Sequence, residues 1–284
     1  MRTLIERNLK VYFRDKASVF FSLMAVLIIF MLYLLFLGDV WMSEMPDVDG
    51  VKAMMDSWIM AGVLAVASMT TVMGAFGTMV DDRQHKIIKD FNASPVGRGK
   101  IVAGYEVASF LVGTIMSLIA FVLAEVYIVS RGGALLAPLP ALEVVGLILL
   151  SALCNTALIS FIISFIRSQN AFGTVSSIIG TLVGFLTGIY LPIGMLPEGV
   201  QFVIKIFPLS HAALLLRRVM MDAPMRQVFG GAPGLFSSGF QEQMGVIFRF
   251  GSHTLPAYAS LLILAGTAAA FYGLATLRFS VKSK

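Results

Sequence analysis

Ser57–Val80 reads SWIMAGVLAVASMTTVMGAFGTMV, and Asp81–Lys100, directly after it, reads DDRQHKIIKDFNASPVGRGK. The first stretch carries no charge and exceeds the about 20 apolar residues that take a helix across a bilayer. The second sets Arg83, Lys86, Lys89, Arg98 and Lys100 against Asp81, Asp82 and Asp90. A polar island between two apolar spans is where something outside the membrane can grip a membrane domain.

The whole chain has the same character. Of its 284 residues, 58% are hydrophobic and 13% charged, and the mean hydropathy is +0.88. A soluble domain exposing that much apolar surface would aggregate, so lipid is the solvent for most of this chain. The net charge of +5 and the pI near 9.4 are explained by loops on one side of the membrane, and no nucleic-acid partner is expected. Cys154 is the one cysteine; inside an apolar span it serves as a small hydrophobe, not as a disulfide or metal ligand.

Six spans are expected: 19–37, 57–80, 101–130, 141–166, 171–191 and 255–277. Positive charge orients them. Arg2, Arg7, Lys10, Arg14 and Lys16, the island, Arg167, and Arg278, Lys282 and Lys284 all fall on one side. The first loop on the other side holds Asp39, Glu44, Asp47, Asp49 and Asp56 against Lys52, and the next holds only Arg131. Both termini and the island are therefore expected in the cytoplasm. The outer segment from 192 to 254 carries Lys205, Arg217, Arg218, Arg226 and Arg249, but long loops cross largely regardless of charge. The first apolar core is too long for a cleavable signal, and Leu37–Trp41 is a poor cleavage site, so it is expected as a retained anchor.

Residues 1–16 have helical spacing, with Met1, Ile5, Leu9 and Tyr12 on one side and Arg2, Glu6, Lys10 and Arg14 on another. Such a helix would lie among the headgroups and bend into the first span; a merely basic N-terminus is the alternative. In span five, Ser176, Gly180, Gly184 and Gly188 are spaced by four, a stripe that lets a second backbone approach. Span two has Gly62, Thr70, Gly74 and Thr78. Each stripe serves either packing within the chain or a subunit interface or pathway wall. Met69, Thr70, Met73 and Phe76 would line an apolar path, or be ordinary membrane filler. Glu106 and Glu125 lie near the ends of span three, where they either bond a neighbouring helix or carry protons; Asn155 is expected to bridge helices.

Pro192, Pro197 and Pro208 cut the chain after span five into short apolar helices, about Pro197–Phe207 and Ser210–Met221. These are too short to span and are expected to dip in from the outer face as a re-entrant hairpin over 192–222, with Arg217 and Arg218 ending it at the headgroups. The glycine-rich 223–254 reads as a cap. Catalytic patterns are missing. Gly97-Arg98-Gly99-Lys100 lacks the first glycine and the Ser/Thr of a phosphate loop, and there is neither HExxH nor GxSxG.

Taken together, the N-terminal elbow, six spans, the island and above all Leu191–Arg217, LPIGMLPEGVQFVIKIFPLSHAALLLR, resemble the permease subunit of ABC-2 type transporters, a type V fold ABC exporter. Ala93-Ser94-Pro95-Val96 is similar to the family's pattern before span three, whereas Asp81–Lys86 departs from its usual acidic-basic run. The resemblance covers essentially the whole chain as one all-α polytopic domain. It implies two permease subunits, a homodimer or heterodimer in a bacterial cytoplasmic membrane, with a dimer of separate ATPase subunits docked from inside. ATP and Mg2+ would belong to those partners, no cofactor or metal to this chain, and membrane lipid would surround it. It further implies coupling through Arg83, His85, Lys86, Lys89, Asp90, Phe91 and Asn92, with the elbow residues Arg7, Lys10 and Arg14 taking part of the push. Cargo is expected to be hydrophobic or amphipathic: a drug, lipid, peptide or glycolipid. A gradient-driven transporter using Glu106 or Glu125, a membrane enzyme and a scaffold are the other classes considered.

Overall fold

A computed structural model describes residues 1–33, 50–230 and 234–281. The acidic residues Asp39, Glu44, Asp47 and Asp49, the segment Leu37–Trp41, and Lys282 and Lys284 lie outside them.

The fold is built around one helix. In chain order the α-helices are α1 (Arg2–Arg14), α2 (Lys16–Ser22), α3 (Met24–Leu32), α4 (Val51–Gln84), α5 (Ile87–Ala93), α6 (Arg98–Ser130), α7 (Pro138–Ile163), α8 (Gln169–Leu186), α9 (Glu198–Ile206), α10 (Pro208–Met220), α11 (Asp222–Phe229), α12 (Gly234–Gln243) and α13 (Ala257–Val281). Two-residue strands β1 (Arg249–Phe250) and β2 (His253–Thr254) form a small antiparallel hairpin. With 34 residues, α4 is about 51 Å long at about 1.5 Å per residue, well beyond a bilayer core of about 30 Å. It is walled by α2, α3, α6, α7, α8, α10 and α11, which is why nearly all of its apolar window is buried. Gly113 allows α6 to close on it, since a Cβ there would meet Val72 Cγ2 at 2.3 Å. Asn155 Nδ2 donates to Ser68 Oγ at 3.0 Å and so ties α7 to α4.

Among the described residues, four helices are long and apolar enough to cross a membrane: α4, α6, α7 and α13; counting the bent pair α9–α10 gives five. The expected first span is broken at Leu23, where the N–H turns to the carbonyl of Phe20, separating α2 from α3. The fifth ends early. Helix α8 stops at Leu186, and Gly188 takes a left-handed φ of 66°, so the small-residue stripe stops at Gly184 and Gly188 makes the turn instead. The proline-bounded pair runs close to its expected limits, with α9 and α10 meeting at 86° across Phe207. Ser210 holds that bend, its hydroxyl donating to the carbonyls of Ile204 and Phe207. Because a carbonyl only accepts, His211 Nε2 donates to Lys205 O at 3.0 Å, leaving Nδ1 facing Ser260 Oγ of α13 at 3.0 Å.

Asp56, expected in a loop, is drawn into the fold, and the glutamates of the third expected span find donors within the chain. Asp56, 1% exposed, lies within α4 and accepts from Tyr33 Oη at 3.1 Å, with Arg131 Nε at 3.8 Å. Glu125 accepts the Leu136 N–H at 2.9 Å, and Glu106 accepts from Ser160 Oγ at 2.5 Å. Arg217 does not end the hairpin at a surface. Every residue of α10 from Leu209 to Arg217 is buried, and Arg217 is fully so.

Candidate functional site

A cleft of about 640 Å³ lies at the island end of α4. One wall is α4, presenting Thr70, Met73, Gly74, Gly77 and Thr78. The opposite wall is α8, presenting Phe172, Ser176, Ile179 and Gly180, and α1–α2 close the third side with Tyr12, Phe21 and Ser22. Thr70, Gly74 and Thr78 of one small-residue stripe and Ser176 and Gly180 of the other thus line one space. Small side chains on two facing helices leave volume that larger ones would fill, while Met73, Phe172 and Ile179 make its lining apolar. At the mouth are Arg7, Asp15, Asp81, Asp82 and Gln169. The cleft is therefore amphipathic, with an apolar interior and a charged rim.

The other path and stripe residues divide between cleft and packing. Met69 and Phe76 are buried in the core, away from the cleft. Gly180 has no atom within 4 Å of where a Cβ would stand, whereas a Cβ on Gly184 would meet Tyr190 Cε2 at 2.0 Å. Gly184 serves packing within the chain; Gly180 leaves open space.

A node of polar contacts ties the rim together. From α1, Arg7 Nη2 donates to Asp82 Oδ1 at 2.8 Å and Nη1 to Asp82 Oδ2, a bidentate pair. Tyr105 of α6 donates to the same carboxylate at 2.5 Å. Hydrogen bonding to Asp82 raises the Arg7 pKa above its usual value. The Arg7 guanidinium also stacks on Phe91 of α5, 5.6 Å from the ring centre. One side chain therefore joins α1, α4 and α5, and through Asp82 it reaches α6. The sequence pattern places Asp82 in the polar island, whereas it belongs to α4. Ala75, Met79 and Asp82 continue one buried helical face, and that spacing was the available signal.

The N-terminal helix keeps Leu9 and Tyr12 of its expected apolar side inward and adds Asn8, which is buried beside them. It packs on α6 through Leu4, Asn8 and Tyr12, with Leu4 Cβ 3.1 Å from where a Gly104 Cβ would be, while Met1 is half-exposed. Tyr12 Oη and Ser22 Oγ are 2.6 Å apart, joining α1 to α2. Lys10 and Arg14 face outward. Asp15 caps α2, accepting from Ala17 N and Ser18 N at 3.1 Å each.

Within the island, Arg83 is turned inward and donates to the carbonyls of Ile163 at 2.7 Å and Ile166 at 3.0 Å, satisfying the end of α7. His85 Nδ1 lies 3.2 Å from Asp81 Oδ1. Lys86 takes a left-handed φ of 65°, which turns the chain out of α4 into α5. On α5, Lys89 and Asp90 are exposed and Phe91 is half-buried; Asn92 lies in the same helix. Pro197 precedes α9 and Pro208 opens α10, while Pro192 is buried in the turn after α8. Among the described residues, no group of three His, Cys, Asp or Glu is placed to hold a metal.

Comparison with known proteins bears on this arrangement. The family profile "ABC-2 type transporter" matches residues 1–221. Nodulation protein J of Rhizobium meliloti (strain 1021) is 30% identical over 209 residues, 70% of this chain and 73% of that protein. Nodulation protein J of Rhizobium leguminosarum bv. viciae is 29% identical over 208 residues, covering 69% and 74%.

Proposed function

The chain belongs to the ABC-2 type transporter family, and we propose that it is the permease subunit of an ATP-driven exporter, paired with a second permease and driven by separate ATPase subunits. In this reading six helices cross a bacterial cytoplasmic membrane, both termini face the cytoplasm, and the cleft between α4 and α8 receives cargo from that side. The observation that carries the proposal is the placement of the cleft beside α5 and α1, with Arg7 linking both helices to the base of α4. A push on the exposed face of α5 would reach the cleft wall through that link. Only an element with two arrangements can transmit such a push, and α8, abutting α4 across an unfilled space, is a candidate for it. ATP and Mg2+ belong to the partner, and the amphipathic cleft suits a hydrophobic or amphipathic molecule such as a drug, lipid, peptide or glycolipid.

The gradient-driven alternative gains no support. Glu106 and Glu125 are each engaged by a neighbouring donor, and neither lines the cleft. The test is co-purification with an ATPase, followed by vanadate-sensitive ATP turnover in liposomes. Reversing charge at Lys86 and Lys89 is expected to abolish docking and leave the chain folded. Docking and turnover unchanged by that reversal would place the contact elsewhere.

A further inference from the structure

A second site lies at the far end of α4, away from the island. Arg217 of α10 is 0% exposed, and none of its three guanidinium nitrogens has a hydrogen-bond partner among the described residues. It stacks on Trp58 of α4, over whose ring the guanidinium carbon stands at 4.5 Å. Stacking on an aromatic face leaves the donor edge of the guanidinium free, and five N–H groups without an acceptor in a dry interior are strongly unfavourable.

The surroundings keep that edge clear. A Cβ on Gly62 would come within 3.3 Å of Nη2, and one on Gly245 within 3.2 Å of Nη1. Trp58 is itself fixed, its Nε1–H donating to Met244 O at 2.7 Å. The cover is two short segments, the first of which includes a single 3-10 turn at Ile193–Met195. Ile189 and Ile193 come from the turns after α8, and Met244–Gly245 from the turn after α12. The two segments touch where a Gly194 Cβ would lie 2.7 Å from Gln243 Cα. Gly188 and Gly245 bracket the cover at φ 66° and 67°, backbone states that favour glycine and give each segment a pivot.

We propose that Arg217 is an anion-binding residue: held flat against Trp58, it takes a carboxylate, phosphate or sulfate group in bidentate fashion when the 188–196 and 243–246 segments lift. A planar five-donor fork is the side chain best matched to such oxyanions. The site stands at the opposite end of α4 from the cleft, so in an exporter it would meet an anionic group of the cargo, or an anionic lipid headgroup, after entry. The proposal rests on the residues alone and needs no ATPase for its test.

The chain has two tryptophans, so Trp41→Phe makes Trp58 the sole reporter. The full-length Trp41→Phe chain in phosphatidylcholine nanodiscs is equilibrated with sodium sulfate or inorganic phosphate against sodium chloride at fixed ionic strength. A parallel set replaces part of the lipid with phosphatidylglycerol. A saturable change in Trp58 emission with a rise in unfolding temperature is expected, lost in Arg217→Met and weakened about tenfold in Arg217→Lys, which keeps charge but not the fork. A response to the soluble anions in neutral lipid identifies a water-borne group; one that needs phosphatidylglycerol identifies a headgroup. Silence in both sets, or an equal response in Arg217→Met, overturns the proposal. So does a large loss of stability in Arg217→Met without anion, because Arg217 would then already be paired within the chain.

Discussion

Replacing Arg7 with methionine removes the cation paired with the Asp82 carboxylate, whose side chain is 3% exposed. Truncating one partner of a buried pair costs about 3–5 kcal/mol, because the other charge stays buried. Tyr105 still donates to Asp82 at 2.5 Å, so the lower end, about 3 kcal/mol, is expected for Arg7→Met. The converse change is milder. Asp82→Asn keeps an acceptor for Arg7 and Tyr105, and Arg7, with its side chain 32% exposed, turns to water, for a cost of about 1–2 kcal/mol. In the double variant no buried charge remains, so it is expected to be more stable than the sum of the singles predicts, by about 1–2 kcal/mol. Unfolding of all four proteins in the same neutral lipid, as a double-mutant cycle, reads these differences. Asp82→Asn proving costlier than Arg7→Met, or a coupling below about 0.5 kcal/mol, would refute the view that Arg7 locks α1 to α4.

Three further outcomes follow from single contacts. Gly184→Ala drives a methyl into Tyr190 and is expected to cost about 1–3 kcal/mol in unfolding, whereas Gly180→Ala, with open space around it, leaves the unfolding temperature unchanged and only narrows the cleft. Arg83→Ala uncaps the carbonyls of Ile163 and Ile166 and should lose about 2–3 kcal/mol, while Lys89→Glu, on an exposed helix, should leave unfolding unaltered and change ATPase binding alone. Asp15 titrates below the ordinary carboxylate range because Ser18 and the Ala17 amide bond its charged form. Its contribution to the start of α2 is therefore complete above the ordinary carboxylate pKa and disappears as pH falls through the lowered value. Hydrogen exchange at the Ala17 and Ser18 amides should accelerate in that acid window and not in Asp15→Asn.

What the sequence made legible was whatever repeats along a helix. Apolar length marks α4, α6, α7 and α13, and the prolines at 197 and 208 place the α9–α10 bend, because proline rigidity acts locally. The stripes Thr70–Gly74–Thr78 and Ser176–Gly180 were visible for the same reason, although spacing says nothing about which partner a stripe meets. Ends and pairings were not legible. Asp82 reads as a loop charge until Arg7 and Tyr105, distant in sequence, come beside it, and Arg83 reads as a free cation until the end of α7 needs a donor. Gly188 fits a helical repeat equally well and a left-handed turn better. Arg217 shows the same limit, because a cation near the end of an apolar run looks like a headgroup anchor until the helix is seen to be buried on every side there.

The central claim, that a docked ATPase drives the cleft between α4 and α8 through α5 and α1, is tested most directly by one labelling rate. In a Cys154→Ala background, Thr78→Cys places a thiol on the cleft wall, and its reaction with a bulky water-soluble maleimide is timed in proteoliposomes containing the chain and its ATPase. The account predicts that the rate in the vanadate-trapped state differs several-fold from the resting rate, and that the difference is lost when Lys86 and Lys89 are reversed to glutamate. An equal rate in the resting and trapped states, with ATP turnover still vanadate-sensitive, would contradict it.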